Sequence, residues 1–276
     1  MTKSFEQIDK VDLEVELVMT TLKQMFGYDF SGYNRAPLKS RLLSFCKEYQ
    51  VDSVIDIVKP LLHSPSISKE LISYLTVTVT EMFRDPVLYQ FLREYLPEYY
   101  QTKPYVKIWH IGCSSGQEVI SLSILLQELN LLGGSKRYAT DLNPMALEKA
   151  KRSSYQLANL KLYIKNYLAS GGSHEFSKYY VVENDSAVFL PQLVFDVKFA
   201  QHDIVAEPAF TGADIIFCRN VMMYFTPQQH LAVVNKLVAA LPKGGLLCIG
   251  LQEYIPDEVK ALRKLKHGVP IYERIA

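Results

Sequence analysis

The sequence carries almost no excess charge of either sign. Thirty Lys and Arg stand against 29 Asp and Glu, a formal net charge of +1. No global field therefore draws the chain to nucleic acid or to a membrane surface. No apolar run approaches the roughly 18 residues needed to span a bilayer, so membrane insertion is not expected. The opening residues, MTKSFEQIDKVDLEVE, are too acidic and polar for a signal peptide. Cysteines are few and scattered: Cys46, Cys113, Cys218 and Cys248 match neither a zinc spacing nor a small disulfide framework. No metal site is expected. Three of the four lie in or beside apolar, strand-like runs, where a thiol packs as a small hydrophobe in a reducing compartment. The cytoplasm is the expected location. Internal repeats and low-complexity tracts are absent, and so is the Gly-x-Gly-x-x-Gly fingerprint of a dinucleotide binder.

What is present reads as a soluble globular protein, with 49% hydrophobic and 21% charged residues. A length of 276 residues allows one large domain or two modest ones. Residues 1–75 read as a helical domain. Val11, Val15, Val18, Leu22, Met25 and Phe26 recur every three or four positions, one face of an amphipathic helix. A second helix is expected to start at Pro37 and to continue through Leu38, Arg41, Leu42, Phe45 and Cys46. Between Asp29 and Glu48 there is no acidic residue, whereas Arg35, Lys39, Arg41 and Lys47 all fall there. The patch suits either a solvated helix face or a docking surface.

From about residue 105 strands and helices alternate, and residues 76–276 read as one α/β domain. Val106 to Ile111 is a strand and 115–129 an apolar helix. RYATD ends a second strand. LNPMALEKAKR opens a helix with Asn143 as N-cap and Pro144 in its first turn. ADIIFCRNV is a buried strand, TPQQHLAVVNKLVAAL a helix capped by Thr226, LLCIG a strand, and HGVPIYERIA a turn into a last strand. Such alternation implies a mostly parallel, doubly wound sheet with helices on both faces. Residues 155–199 break the rhythm and read as a small antiparallel β insertion, either a flap or a docking surface.

Ligands of open α/β sheets bind at the carboxyl ends of the strands. The loop after the first strand, GCSSGQE, has Gly112 and Gly116, which permit a tight turn and close approach of backbone to ligand. Asp141, ending the second strand, can accept hydrogen bonds from a ribose diol. Glu118 is unsuited to phosphate and suits a ligand bearing positive charge. S-adenosylmethionine has both a ribose and a cationic amino-acid portion, so a methyltransferase ranks ahead of a dehydrogenase.

LTVTVTEMFRDP, IWHIGCSSGQEVISLSILL, ATDLNPMALEKAK and DIIFCRNVMMYF resemble, in order and spacing, the CheR family of chemotaxis receptor methyltransferases. The resemblance covers nearly the whole chain. It implies a class I (Rossmann-like) methyltransferase sheet, S-adenosylmethionine as cofactor, and a chemoreceptor glutamate as methyl acceptor. It implies a monomer acting on the receptor's cytoplasmic domain. By position it places Thr78, Thr80 and Arg84 on a segment folded over the cofactor. Gly112, Glu118 and Asp141 become cofactor contacts. Asp203 and Ile204 fall where the family usually has Asn-Leu beside the adenine, and Cys218 and Arg219 match a further cofactor-proximal pair. Arg84 and Tyr224 are the implied catalytic residues.

Each residue also has a structural use. Arg84, before Asp85-Pro86, suits a surface ion pair. Arg219 suits a buried pair with Asp214 or Asp141. Tyr224, Met222 and Met223 suit core, and Cys113 suits small-residue packing. Three departures from the family pattern stand out. The basic helix has fewer cations. The usual Gly-Glu-Glu-Pro-Tyr-Ser reads Gly-Gln-Glu-Val-Ile-Ser, and the usual Gly-His-Ser-Glu reads Gly-Leu-Gln-Glu. They leave a non-catalytic S-adenosylmethionine- or S-adenosylhomocysteine-binding scaffold, or a carboxyl methyltransferase for another protein, as competing expectations.

Overall fold

The structure, a computed structural model, describes residues 9–76 and 78–276. These form two compact units. One holds the residues up to Thr76 together with Tyr224–Gln229; the other holds Thr78–Met223 and His230–Ala276.

In the first unit, α1 (Lys10–Phe26) begins where the Asp9 side chain accepts from the Val11 amide, and it closes on Gly27 at φ 78°. Only glycine adopts that left-handed geometry at no steric cost. Val15, Val18, Met19 and Leu22 form its buried stripe, while Met25, predicted on the same face, is exposed. α2 (Arg35–Glu48) starts two residues before Pro37, after Asn34. Pro37 still sits in the first turn, where a missing N–H leaves no bond unmade. α3 (Val58–His63) packs against α1, and α4 (Pro65–Leu75) against α2. Two of the four cations of the basic stretch are paired within the unit. Arg35 pairs with Glu16, and Lys39 Nζ lies 2.8 Å from Asp9 and 2.7 Å from Asp12. Arg41 donates to the Leu75 carbonyl at 2.5 Å and lies 5.4 Å from the centre of the Tyr224 ring. Tyr224–Gln229 joins this unit through backbone bonds: Asn34 N to Tyr224 O and Thr226 N to Gly32 O, each 2.9 Å.

The second unit begins with α5 (Pro86–Gln101), followed by β1 (Val106–Ile111), α6 (Gln117–Glu128), β2 (Ser135–Asp141) and α7 (Pro144–Arg152). Asn143 caps α7 as predicted, accepting from the Met145 and Ala146 amides. The insertion follows as β3 (Ser154–Gln156), α8 (Leu160–Ala169), β4 (Tyr180–Glu183) and β5 (Ser186–Phe189). Then come β6 (Val197–Gln201), β7 (Ile215–Cys218), α9 (Pro227–Ala240), β8 (Leu246–Ile249), β9 (Leu262–Lys264) and β10 (Ile271–Arg274). The main sheet runs β6-β2-β1-β7-β8-β10-β9. Its first five strands are parallel, and β10 is antiparallel to both neighbours. β7 and β8 are buried at every position, which is why they read as continuous apolar runs.

Two features of the 155–199 stretch differ from the sequence reading. VFDVKF does not belong to the antiparallel insertion: its second half is β6, the parallel edge strand of the main sheet, with Phe199 opposite Ala139. An edge strand alternates like an antiparallel one, so its pattern hides its direction. The stretch also contains α8, whose buried Leu160, Tyr163, Asn166 and Tyr167 keep helical spacing despite aromatics that favour strands.

The insertion shares the core rather than hanging from it. Phe83, Tyr167, Phe176, Tyr179 and Phe189 belong to one buried cluster with Leu88, Leu92 and Ile120. Beside that cluster Glu128, at the end of α6, accepts from Tyr179 Oη at 2.7 Å, from Tyr167 Oη, and from His174 at 3.3 Å. Arg93 Nη1 pairs with its other oxygen at 2.5 Å. Burial alone would raise the Glu128 pKa, but the bonds from Tyr167, Tyr179 and Arg93 outweigh it and hold the carboxyl below its usual range. A carboxyl depressed in the folded state adds stability above its unfolded pKa of about 4.3, and that stability fades as pH falls through the folded value. Glu128→Gln is therefore expected to lower the melting temperature by several degrees at pH 7. The gap between variant and parent should narrow below about pH 4. Thermal melts at both pH values check this; a gap independent of pH would contradict it.

Candidate active site

The strand order reverses at β1, with β2 and β6 on one side and β7 and β8 on the other. That switch point leaves a crevice at the carboxyl ends, and the loops there hold most of the predicted residues. After β1 the chain turns through three left-handed positions, Gly112 (φ 65°), Ser114 (φ 49°) and Gly116 (φ 91°). A Cβ on Gly112 would meet Val221 at 2.4 Å, so glycine is required there for packing as well as for conformation. Asp141, ending β2, holds this turn. One of its oxygens accepts from the Ser114 amide at 2.7 Å and the other from the Asn143 amide at 2.8 Å. The hydroxyl of Ser114 in turn donates to the Thr78 carbonyl at 3.1 Å, which fixes the segment carrying Thr78 and Thr80 against the loop.

The charged centre is a chain of four side chains. Glu118, in the first turn of α6, pairs with His110 Nδ1 at 2.7 Å and with Arg219 Nη1 at 2.9 Å. Arg219 Nη2 reaches Asp85 Oδ2 at 2.9 Å and the Arg84 carbonyl at 2.8 Å. Burial would raise the Glu118 pKa, but the His110 bond and the Arg219 charge keep it below the usual value. Glu118 is thus ionised and only accepts, so His110 Nδ1 is the donor. Neither pairing suggested by the sequence applies to Arg219; Asp214 pairs with Lys103 instead. Nor is Arg84 in an ion pair with its neighbour, because Asp85 is taken by Arg219. Among the described residues the Arg84 guanidinium has no hydrogen bond or ion pair. It stands between two left-handed non-glycine residues, Phe83 (φ 51°) and Asp85 (φ 57°). Such residues are uncommon and persist only where surroundings hold them. Here the Phe83 amide donates to Ser121 Oγ at 2.8 Å and its ring is fully buried, while Asp85 is held by Arg219.

After β6, Asp203 and Ile204 are buried. Asp203 Oδ1 accepts from the Val205 and Ala206 amides, whereas its buried Oδ2 has no partner among the described residues. Cys218 and Cys113 are buried thiols whose pKa burial raises, and His110 is engaged by Glu118. Both behave as packing residues, not nucleophiles. Met222 is core, but Met223 is half exposed. Tyr224 is described with the first unit, beside Asn34 and Arg41.

Three residues were not singled out from sequence. Glu253, the acid of GLQE, accepts from the Asn220, Met222, Met223 and Gly250 amides at 2.6–3.2 Å, tying the loop after β7 to the loop after β8. Lys236 of α9 donates to the carbonyls of Ile204, Val205 and Glu207, closing the turn that carries Asp203. Asp85 was noted only as a neighbour of Arg84. The tightness around Glu253 shows in the backbone: Asn220 adopts a left-handed φ of 59°, and a Cβ on Gly250 would meet Glu253 at 2.8 Å.

The sheet order, the glycine turn and the acid closing β2 define an S-adenosylmethionine-dependent methyltransferase of the Rossmann-like class. The SAM binding domain of CheR methyltransferase matches residues 78–269, and the all-alpha domain of CheR methyltransferase matches residues 13–76. The chain belongs to the CheR methyltransferase family. Cher3 of Pseudomonas putida is 33% identical over 244 residues, which are 88% of this chain and 89% of that protein. A chemotaxis protein methyltransferase of Listeria monocytogenes is 28% identical over 251 residues, 88% of this chain and 92% of that one. Chemotaxis protein methyltransferase 1 of Vibrio cholerae is 28% identical over 227 residues, 78% and 80% of the two chains.

The residues present fit the cofactor. Two carboxylates, Glu118 and Asp85, converge on one guanidinium, a donor set suited to a ligand bearing positive charge. The unpartnered Asp203 Oδ2 offers an acceptor to a buried donor such as an amino group. The Arg219 side chain is only 2% exposed, and removing it strands two carboxylates. Arg219→Ala is expected to cost about 3–5 kcal/mol, and Glu253→Ala about 2–3 kcal/mol through its unpaired amides. Urea titrations monitored by circular dichroism check both.

Proposed function

We propose that the protein transfers a methyl group to glutamate side-chain carboxylates of a methyl-accepting chemoreceptor, forming methyl esters in the cytoplasm as a monomer. The observation that carries this reading is the Arg84 guanidinium, unpaired among the described residues and presented from a backbone held by Arg219 and the buried Phe83. A planar fork of donors is suited to one carboxylate in a fixed orientation, which the point charge of lysine would hold less well. Bound S-adenosylmethionine supplies an electrophilic methyl group on a sulfonium. A glutamate, with a reference pKa of about 4.3, is already ionised at neutral pH. A carboxylate oxygen takes up the methyl as its bond to sulfur breaks, and no proton moves, so no general base is needed.

Charge is neutralised as the reaction proceeds. Strong stabilisation of the separated ions would therefore slow it, and positioning dominates. Arg84 orients the acceptor, and the resemblance assigns a second hydrogen bond to Tyr224. Glu118, Asp141, Thr78, Thr80, Gly112, Asp203, Ile204, Cys218 and Arg219 form or support the cofactor side. The names of the Listeria and Vibrio relatives support the chemotaxis setting.

Incubation with labelled S-adenosylmethionine and receptor-bearing membranes should give label released by alkali as methanol. Arg84→Ala should lower that transfer by about a hundredfold or more, with the melting temperature nearly unchanged. Full transfer by the variant would remove Arg84 from the reaction. Alkali-stable label would rule out a carboxyl ester.

A further inference from the structure

The β insertion touches the glycine loop directly. Tyr155, on β3, donates from its buried phenol to the Ser115 carbonyl at 2.8 Å. Gln117, the residue that departs from the family's usual glutamate, does not face a ligand. It is 6% exposed; its Oε1 accepts from Ser115 Oγ at 2.8 Å, and its Nε2 approaches Tyr163 Oη of α8 at 3.4 Å. Gly116 is boxed in, since a Cβ there would lie 3.3 Å from Tyr155 Oη and 2.9 Å from Ala150. The insertion also reaches the segment before α5, where Asn166 Nδ2 donates to the Met82 carbonyl at 3.1 Å. Two segments assigned to the cofactor, 78–85 and 112–118, are thus both held by one small subdomain.

We propose that Tyr155 and Gln117 are positioning residues that couple the β insertion to the cofactor loop. The left-handed turn at 112–116 is held by Asp141 at the Ser114 amide and by Tyr155 at the Ser115 carbonyl. A partly buried carbonyl that loses its donor carries a cost, so the loop's competent geometry depends on the insertion being docked. By linkage the dependence is reciprocal: cofactor binding steadies the insertion as much as the insertion favours cofactor binding. The departure from glutamate to glutamine at 117 then acts on this joint rather than on ligand charge.

The inference rests on 112–118 being the cofactor loop, and the experiment separates the two. Isothermal titration with S-adenosylhomocysteine should show Tyr155→Phe weakening binding by about tenfold. In transfer assays the cofactor KM should rise with kcat nearly unchanged. In the unaltered protein, S-adenosylhomocysteine should slow amide hydrogen exchange in 154–156 and 186–189 several-fold; this measurement needs no variant and stands if Tyr155→Phe folds poorly. An unchanged Kd in a folded Tyr155→Phe protein, or exchange in the insertion indifferent to the ligand, would overturn the coupling. Asp141→Asn serves as the control. If it binds S-adenosylhomocysteine like the parent, the loop assignment itself fails; if it binds weakly while Tyr155→Phe does not, only the coupling fails.

Discussion

One guanidinium holds the candidate site together. Arg219 joins the end of β7 to α6 through Glu118 and to the segment before α5 through Asp85 and the Arg84 carbonyl. Three stretches far apart in sequence meet at a side chain that is almost wholly buried. Charges taken out of water must be paired and hydrogen-bonded. Here two carboxylates, Glu118 and Asp85, converge on that one guanidinium. The backbone on both sides of Arg84 is left-handed, and the same arginine holds its C-terminal side through Asp85.

The rest of the sheet domain supports this arrangement from two directions. Glu253 and Lys236 use backbone amides and carbonyls to fix the loops after β7, β8 and β6. The insertion works from the opposite flank. Its aromatic residues enter the core beside Phe83, and Glu128 binds α5, α6 and the insertion in one polar knot. Rigid surroundings are what a reaction limited by positioning needs.

The sequence was most legible where periodicity and capping agreed. β1, α7 with its Asn143 cap, and the buried strands β7 and β8 lie where the residue pattern put them. The glycine turn, Glu118 and Asp141 were visible as chemistry. Partners were not. Asp85 for Arg219 and His110 for Glu118 are long-range choices that no local pattern encodes. The insertion was blurred because α8 is rich in tyrosine and because β6, an edge strand, alternates as antiparallel strands do. Glu253 was obscured by a different cause: it binds only backbone, so no complementary side chain points to it.

The placement of β10 has a consequence in time. This strand, Ile271–Arg274, lies between β8 and β9 and pairs with both. It fills the position beside β8, whose following loop supplies Gly250 and Glu253 to the turn carrying Arg219 and Asn220. During synthesis β8 emerges with a bare edge, and its neighbour arrives about twenty residues later. Until then the Glu253 knot rests on an unfinished sheet. The turn carrying Arg219 and Asn220 therefore settles only once β10 has joined the sheet.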